Sequence, residues 1–315
     1  MSVAVLIPAY NAERFIERAV RSALSQTRPP DEVIVVDDGS TDRTAEICGR
    51  LGDRVRCIRI EHGGKSVARN VALDAASARF AAFLDADDEF LPAHLEQLLT
   101  AMEPDRADIA YDSVEAPYFA PHRRPPRKPD GRAAFRHLSC YQLWLPASAV
   151  RTDFVRGAGV RFDPGLDIAE DIVFMARLIA RGARVRYVRR YGVRVGRHDA
   201  NTTRDPVRTR RWTGIALRRL REAPELRAAP DAPRLQAELR RGRAHILLMR
   251  LAYRVFLDRT ARVAFRRIAR WAASPQTPLR WQDRVRAAAL LGWRAAGRPG
   301  WARLSRALFG YNVAV

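Results

Sequence analysis

Four short apolar runs alternate with segments of helical periodicity in the first hundred residues, and that alternation constrains the fold more than any other feature of the chain. The runs cover residues 3–8, 32–37, 55–60 and 80–84. The segments at 14–26, 42–51, 67–76 and 93–102 have polar starts and apolar residues at helical spacing. Strands that alternate with helices in this way join through crossovers into a parallel sheet. Open sheets of this kind bind ligands beyond the carboxyl ends of their strands, so chemistry is expected just after each run.

Each strand tip carries a distinct set of side chains. The first ends in Pro8-Ala9-Tyr10-Asn11, where a fixed φ, a small residue and an aromatic ring make a compact turn able to support a flat base. The second ends in Asp37-Asp38-Gly39-Ser40-Thr41-Asp42. Helix capping accounts for Ser40, Thr41 or Asp42 but not for the paired carboxylates, which can accept from a base imide or a ribose hydroxyl. The third leads into Gly63-Gly64-Lys65-Ser66-Val67-Ala68-Arg69-Asn70. Its glycines permit close approach to an anion, yet the spacing matches neither the P-loop nor the dinucleotide fingerprint, which argues against a nucleotide hydrolase. Arg69, inside the helix, is equally compatible with an ordinary solvated arginine. The fourth tip is Leu84-Asp85-Ala86-Asp87-Asp88. Alternate residues of an extended tip share a side, so Asp85 and Asp87 can face one ligand, one towards a ribose and the other towards a metal. Mutual repulsion of three carboxylates calls for a cation, and hard oxygen ligands suit Mg²⁺ or Mn²⁺ bridging a diphosphate.

Taken in order, Val5-Leu6-Ile7-Pro8-Ala9-Tyr10-Asn11, Val35-Val36-Asp37-Asp38-Gly39-Ser40-Thr41-Asp42, Ala68-Arg69-Asn70 and Leu84-Asp85-Ala86-Asp87-Asp88 resemble the family 2 glycosyltransferases of the GT-A fold. The resemblance is close over residues 1–100 and looser to residue 205. It implies an α/β chain with a GT-A, Rossmann-like mixed sheet flanked by helices, and a C-terminal arginine-rich helical extension. It also implies a nucleotide base surrounded by Pro8, Ala9, Tyr10, Asp38 and Arg69, a ribose held by Asp85 beside Ala86, and a divalent metal on Asp87. Further along, Glu170 and Asp171 begin a predicted helix over 168–180. In the resembling family such a pair supplies the catalytic base, here Asp171 with Glu170 as second candidate; acidic residues favourably placed in a first helical turn are the alternative. His198 follows the last predicted strands, between Val185 and Val195, where related enzymes often have a histidine on metal or diphosphate; a structural histidine is the other reading. The implied reaction is inverting transfer from a nucleoside-diphosphate sugar, UDP-linked by default, to a saccharide or lipid-linked saccharide. A nucleotidyltransferase acting on sugar phosphates and a catalytically silent nucleotide-sugar-binding protein are the competing readings.

The expected division is a catalytic domain over 1–205, with nucleotide-binding (1–100) and acceptor-binding (101–205) halves, and a helical extension over 206–315. The proline-rich segment 117–132 reads as a boundary or a lid. Charge sits in the extension: 25 arginines against 7 acidic residues over 205–315 supply +18 of the net +21. Such a tail attracts dense negative charge. No nucleic-acid-binding motif accompanies it, so nucleic acid is not the expected partner. Arg259, Arg262, Arg266 and Arg270 follow helical spacing opposite Leu257, Ala261, Ala264, Ile268 and Trp271, which suits an anionic membrane surface, or a bundle packed on the catalytic domain or on a second copy in a homo-oligomer. No run approaches the ~20 apolar residues of a membrane span, and Met1 leads directly into a strand without a secretory signal. The expected location is therefore cytoplasmic, with peripheral contact at the inner membrane face. Cys48, Cys57 and Cys140 are too few and scattered for a disulfide framework or a thiolate metal site.

Overall fold

Apolar runs become strands where both faces can be covered, and three of the four runs are covered almost completely. β1 (Val3–Ala9), β2 (Glu32–Asp37) and β4 (Phe80–Phe83) are buried along nearly their whole length, whereas β3 (Val55–Arg59), at the sheet edge, is half exposed. The computed structural model describes residues 1–103, 107–115, 145–196 and 206–237, with 125, 130, 131, 198 and 239. The expected helices form between the strands as α1 (Ile16–Leu24), α2 (Thr44–Gly49), α3 (Lys65–Ala75) and α4 (His94–Met102). α1 shows why: Ile16, Ala19, Val20 and Ala23 make one apolar stripe against the sheet, with Glu17 and Arg21 paired outside at 2.7 Å.

β1 lies between β2 and β4 and is parallel to both. The chain therefore works outward through β2 to β3 and then returns to β4 on the other side of β1, creating the topological switch point at which such sheets bind ligands. Register sets Ala9 beside Asp37, and Leu6 beside Phe83, so the tips of all three strands open on the same rim.

Beyond β4 the sheet becomes mixed. β7 (Ser148–Arg151) is antiparallel to β4, β6 (Ile109–Glu115) antiparallel to β7, β8 (Val185–Arg194) parallel to β6, and the two-residue β5 (Glu89–Phe90) antiparallel to β8. The eight-stranded order is β3-β2-β1-β4-β7-β6-β8-β5, the mixed α/β architecture expected from the sequence. β5, β6, β7 and the helix α5 (Thr152–Ala158) were not predicted; two to seven residues long, they take their state from their partners more than from periodicity. The strands predicted between Val185 and Val195 form one strand with an irregular register opposite Tyr111 and Ser113. α6 (Glu170–Ala180) is almost wholly buried and packs on α7 (Pro206–Glu222) and α8 (Pro224–Ala228), where Arg177 meets Glu225 at 2.7 Å.

The chain divides into one unit of residues 1–116 and 123–232 and another of 117–122 and 233–315. α7 and α8, which follow the boundary expected at 205, belong to the first unit. The arginine face at 259–270 and the tail tryptophans lie outside the described residues, as does Cys140. So does most of segment 117–132, within which the Pro125 carbonyl accepts from Arg189 and Asp130 accepts from the Tyr187 amide. Among the described residues no helix is long and apolar enough to cross a membrane.

Candidate functional site

The first two strand tips and the loop after β3 form one side of the site. Pro8 and Ala9 are buried in β1, while the ring of Tyr10 emerges, 48% exposed, and stacks on His62 at 4.2 Å. Asp38, nearly inaccessible, directs both carboxylate oxygens at the loop: Oδ1 accepts from Gly63 N (2.8 Å) and Oδ2 from Gly64 N (2.9 Å). His62 Nδ1 lies 3.0 Å from the same carboxylate. The loop thus leaves β3 and enters α3 clamped on an anion, with a stacked aromatic pair above it. Gly39 makes this approach possible, since its φ is +72° and a Cβ there would stand 2.9 Å from the His62 amide.

The β4 tip forms the centre. Asp85 keeps about a third of its side chain exposed and accepts from Arg69 Nη2 at 2.6 Å, and Ala86 packs beside it against the core. Asp87 Oδ2 lies 2.8 Å from His198 Nε2, and Asp88 Oδ1 accepts from the Gly196 amide at 2.8 Å. Gly196 is required there, because a Cβ would overlap the Asp87 carbonyl. His198 stacks on Phe15 at 4.6 Å, so the residue that leads into α1 supports the histidine that meets the β4 tip. Burial, then the neighbouring Asp85 charge, raises the Asp87 pKa against the pull of His198. Burial, then Asp85 and Asp87, holds Asp88 well above the usual carboxylate range, opposed by the Gly196 amide and Arg18. Carboxyls in this condition favour a cation. Among the described residues no three His, Cys, Asp or Glu side chains gather into a metal cage. A carboxylate and an imidazole in contact nevertheless fit a divalent ion that completes its shell with water and diphosphate oxygens.

The third part is the start of α6, reached through Arg69. This arginine is 2% exposed and divides its guanidinium between Asp85 and Glu170, its Nη1 standing 2.5 Å from Glu170 Oε1. Burial alone would lower its pKa, but Asp85 and Glu170 outweigh that and raise it. Glu170 Oε1 also meets Lys65 Nζ at 3.0 Å. Among the described residues, Glu170 Oε2 and Arg69 Nε are buried with no hydrogen-bond partner, a condition that few buried polar groups keep. Phe162 lies under the arginine at 5.5 Å and stacks on Phe174 at 3.9 Å. Asn70 fixes this aromatic from α3 through both its backbone groups, at 2.9 and 3.0 Å. Ala169, before α6, has φ +71°, backbone strain of the kind that clusters at functional sites. Asp171, next in the helix, keeps part of its surface at solvent and accepts from the Ile172 amide at 2.8 Å. Poorly solvated surroundings, then the Glu170 charge, push its pKa up to about 6 against the opposing Lys65 and Arg69.

The fold thus brings Asp85, Asp87, Arg69, Glu170 and His198, from four regions of the chain, into linked contacts, and sets Asp171 beside Glu170. Tyr10 and Asp38 instead contact the 62–64 loop. Sequence reasoning assigned nothing to His62, Phe15, Phe162 or Lys65. Phe15 and Phe162 carry no polar group that would mark a site, and the contact of Lys65 spans more than a hundred residues, so no local spacing signals it.

Residues 4–161 match the sequence model described as Glycosyl transferase family 2. The chain is 31% identical over 283 residues to the succinoglycan biosynthesis protein ExoU of Rhizobium meliloti (strain 1021), covering 81% of this chain and 78% of that protein. It is 38% identical over 113 residues to WfaP of Escherichia coli, a UDP-Glc:alpha-D-GlcNAc-diphosphoundecaprenol beta-1,3-glucosyltransferase, covering 35% of this chain and 45% of WfaP. Other curated relatives are likewise matched over about half their length, 41% and 58% in two Bacillus subtilis proteins. Among solved structures, the mannosyltransferase PcManGT of Pyrobaculum calidifontis, in complex with GDP-Man and Mn²⁺, superposes with a TM-score of 0.65 at 19% identity, covering 97% of this chain and 84% of that one. That likeness is one of fold.

Proposed function

The chain belongs to glycosyltransferase family 2, and on that premise we propose that it transfers a sugar, with inversion, from a nucleoside-diphosphate sugar to a hydroxyl of a saccharide or lipid-linked saccharide. The observation that carries the proposal is the convergence at one rim of a partly exposed carboxylate at the tip of β4, a buried arginine and a high-pKa carboxyl on α6. Residues 1–100 supply the donor side. Tyr10 offers a flat face to the base beside Pro8 and Ala9, Asp38 shapes the loop under it, and Asp85, next to Ala86, accepts from the ribose.

An alcohol is a weak nucleophile at neutral pH, so its proton must leave as the new bond forms. Asp171 takes it: a pKa of about 6 keeps the carboxyl ionised at pH 7 yet far more basic than an ordinary aspartate. Glu170 is the less suitable base, because its Oε1 is committed to two cations. Asp87 and His198 would hold Mn²⁺ or Mg²⁺, which when bound supplies positive charge to the departing diphosphate. A uridine donor follows the UDP-Glc activity of WfaP, and the GDP-Man of PcManGT keeps guanosine as the alternative.

A thermal-shift screen of nucleotide sugars with Mn²⁺ present tests the reading, since a ligand selective for the folded state raises its melting temperature. The expected result is one donor that stabilises the protein and, with acceptor, releases a nucleoside diphosphate. Release of pyrophosphate from a sugar phosphate and a nucleotide would instead make the chain a nucleotidyltransferase. Donor binding without turnover on any acceptor would make it a sensor.

A further inference from the structure

We infer that Glu170 is a positioning residue which ties Asp171 to the β4 tip through Arg69, with Lys65 as its second counter-charge. The inference rests on the transfer reaction proposed above. Arg69 reaches two carboxylates in different parts of the chain, Asp85 Oδ1 just after β4 at 2.6 Å and Glu170 Oε1 on α6 at 2.5 Å. Lys65, one turn earlier in α3, meets the same oxygen of Glu170 at 3.0 Å. The Arg69 and Glu170 side chains are 3% and 2% exposed. A buried arginine shared in this way fixes both partners together, because withdrawal of either leaves an uncompensated charge in a poorly solvated place.

The consequence for Asp171 is one of placement and of charge. It follows Glu170 directly in the first turn of α6, after the strained Ala169, so the point at which Glu170 is held decides where the Asp171 carboxyl stands. The charged groups that act on it are Glu170 from its own helix and Lys65 and Arg69 from α3, alongside the Ile172 amide. Glu170 raises its proton affinity and the two cations lower it. A ligand that engages Asp85 competes with Arg69 for that carboxylate, and its effect passes through Arg69 and Glu170 to Asp171. Donor occupancy and base position are thereby coupled, over 101 residues of sequence between Arg69 and Glu170.

The full chain carrying Glu170→Gln, which keeps the shape but removes the charge, and Lys65→Gln test this. The pH profile of kcat should move in opposite directions: its acid limb down by about one pH unit in Glu170→Gln and up, by less, in Lys65→Gln. The donor KM should rise about tenfold in Glu170→Gln, and its melting temperature should fall, because Arg69 and Lys65 lose a buried counter-charge. Carboxyl-carbon NMR titration of Asp171 in the parent and both variants reads the same opposed shifts without turnover, so failure of the transfer reaction and failure of this inference give different results. Unmoved Asp171 titration in both variants overturns the inference. So does abolished transfer in Glu170→Gln alongside retained transfer in Asp171→Asn, which would make Glu170 itself the base.

Discussion

The two halves of the sheet reach the same rim by different physics. In the first, β1, β2 and β4 are parallel neighbours with nearly continuous burial, and Tyr10, Asp38, Asp85 and Asp87 follow their strands by one to four residues. In the second, β6 and β7 are antiparallel, β8 is irregular and α6 starts from a strained residue, so the positions of Glu170, Asp171 and His198 depend on contacts with the first half. On the roles proposed for them, the donor-side residues are placed locally, whereas the proposed proton acceptor is held at a distance by a small number of buried charges and hydrogen bonds.

That contrast breaks most severely at Asp171. Asp171→Asn should leave the donor-induced thermal shift intact while transfer falls by about 10²- to 10⁴-fold, the range for loss of a general base. Initial rates under saturating donor check it, and normal turnover would remove the base from α6. A smaller effect is expected at the seam between the halves, where Asn70 holds both backbone groups of Phe162. Asn70→Ala leaves those groups unpaired and should cost about 1–3 kcal/mol, seen as a melting temperature lower by several degrees, together with weaker donor binding because Phe162 underlies Arg69. An unchanged donor affinity would show that the two halves are less tightly joined than the contacts imply.

The smallest effect belongs wholly to the second half. Asp108, before β6, accepts from the Arg184 amide and side chain, each bond at 2.9 Å, and faces Arg151 from β7. Burial alone would raise its pKa, but the Arg184 bonds and then the two arginine charges win and lower it below 3.8. A depressed carboxyl stabilises the fold above its unfolded pKa, and that contribution is lost as pH falls through the folded value. Asp108→Asn should therefore cost about 1 kcal/mol at neutral pH, a figure kept small by the exposure of Arg184, with the difference from the parent closing below pH ~4. Urea denaturation at pH 7 and pH 3 measures both ends. Equal differences at the two pH values would mean that the pair adds no charge-dependent stability to this half.

Much of the first half was legible in the chain itself. The stripe Ile16, Ala19, Val20, Ala23 and the run 3–8 announce a helix and a strand because burial there repeats with a fixed period. Pro8, Tyr10, Asp38 and Asp85 stand out because they interrupt those periods at strand ends. The second half hid more. β5 is two residues long and exists only as the partner of Val193 and Arg194, so no run of residues could reveal it. Phe15 and Phe162 look like core aromatics until His198 and Arg69 are seen beside them.

Periodicity, then, was enough to establish a parallel βαβ framework and the rim on which carboxylates collect, since both follow from interactions within a few residues along the chain. Partner choice among the charges was settled only in three dimensions. Whether Arg69 lies in solvent, beside a base or between Asp85 and Glu170 depends on which elements the sheet order sets face to face. A long side chain has many oppositely charged candidates in the sequence, and only burial, by removing water as the competitor, leaves it with two.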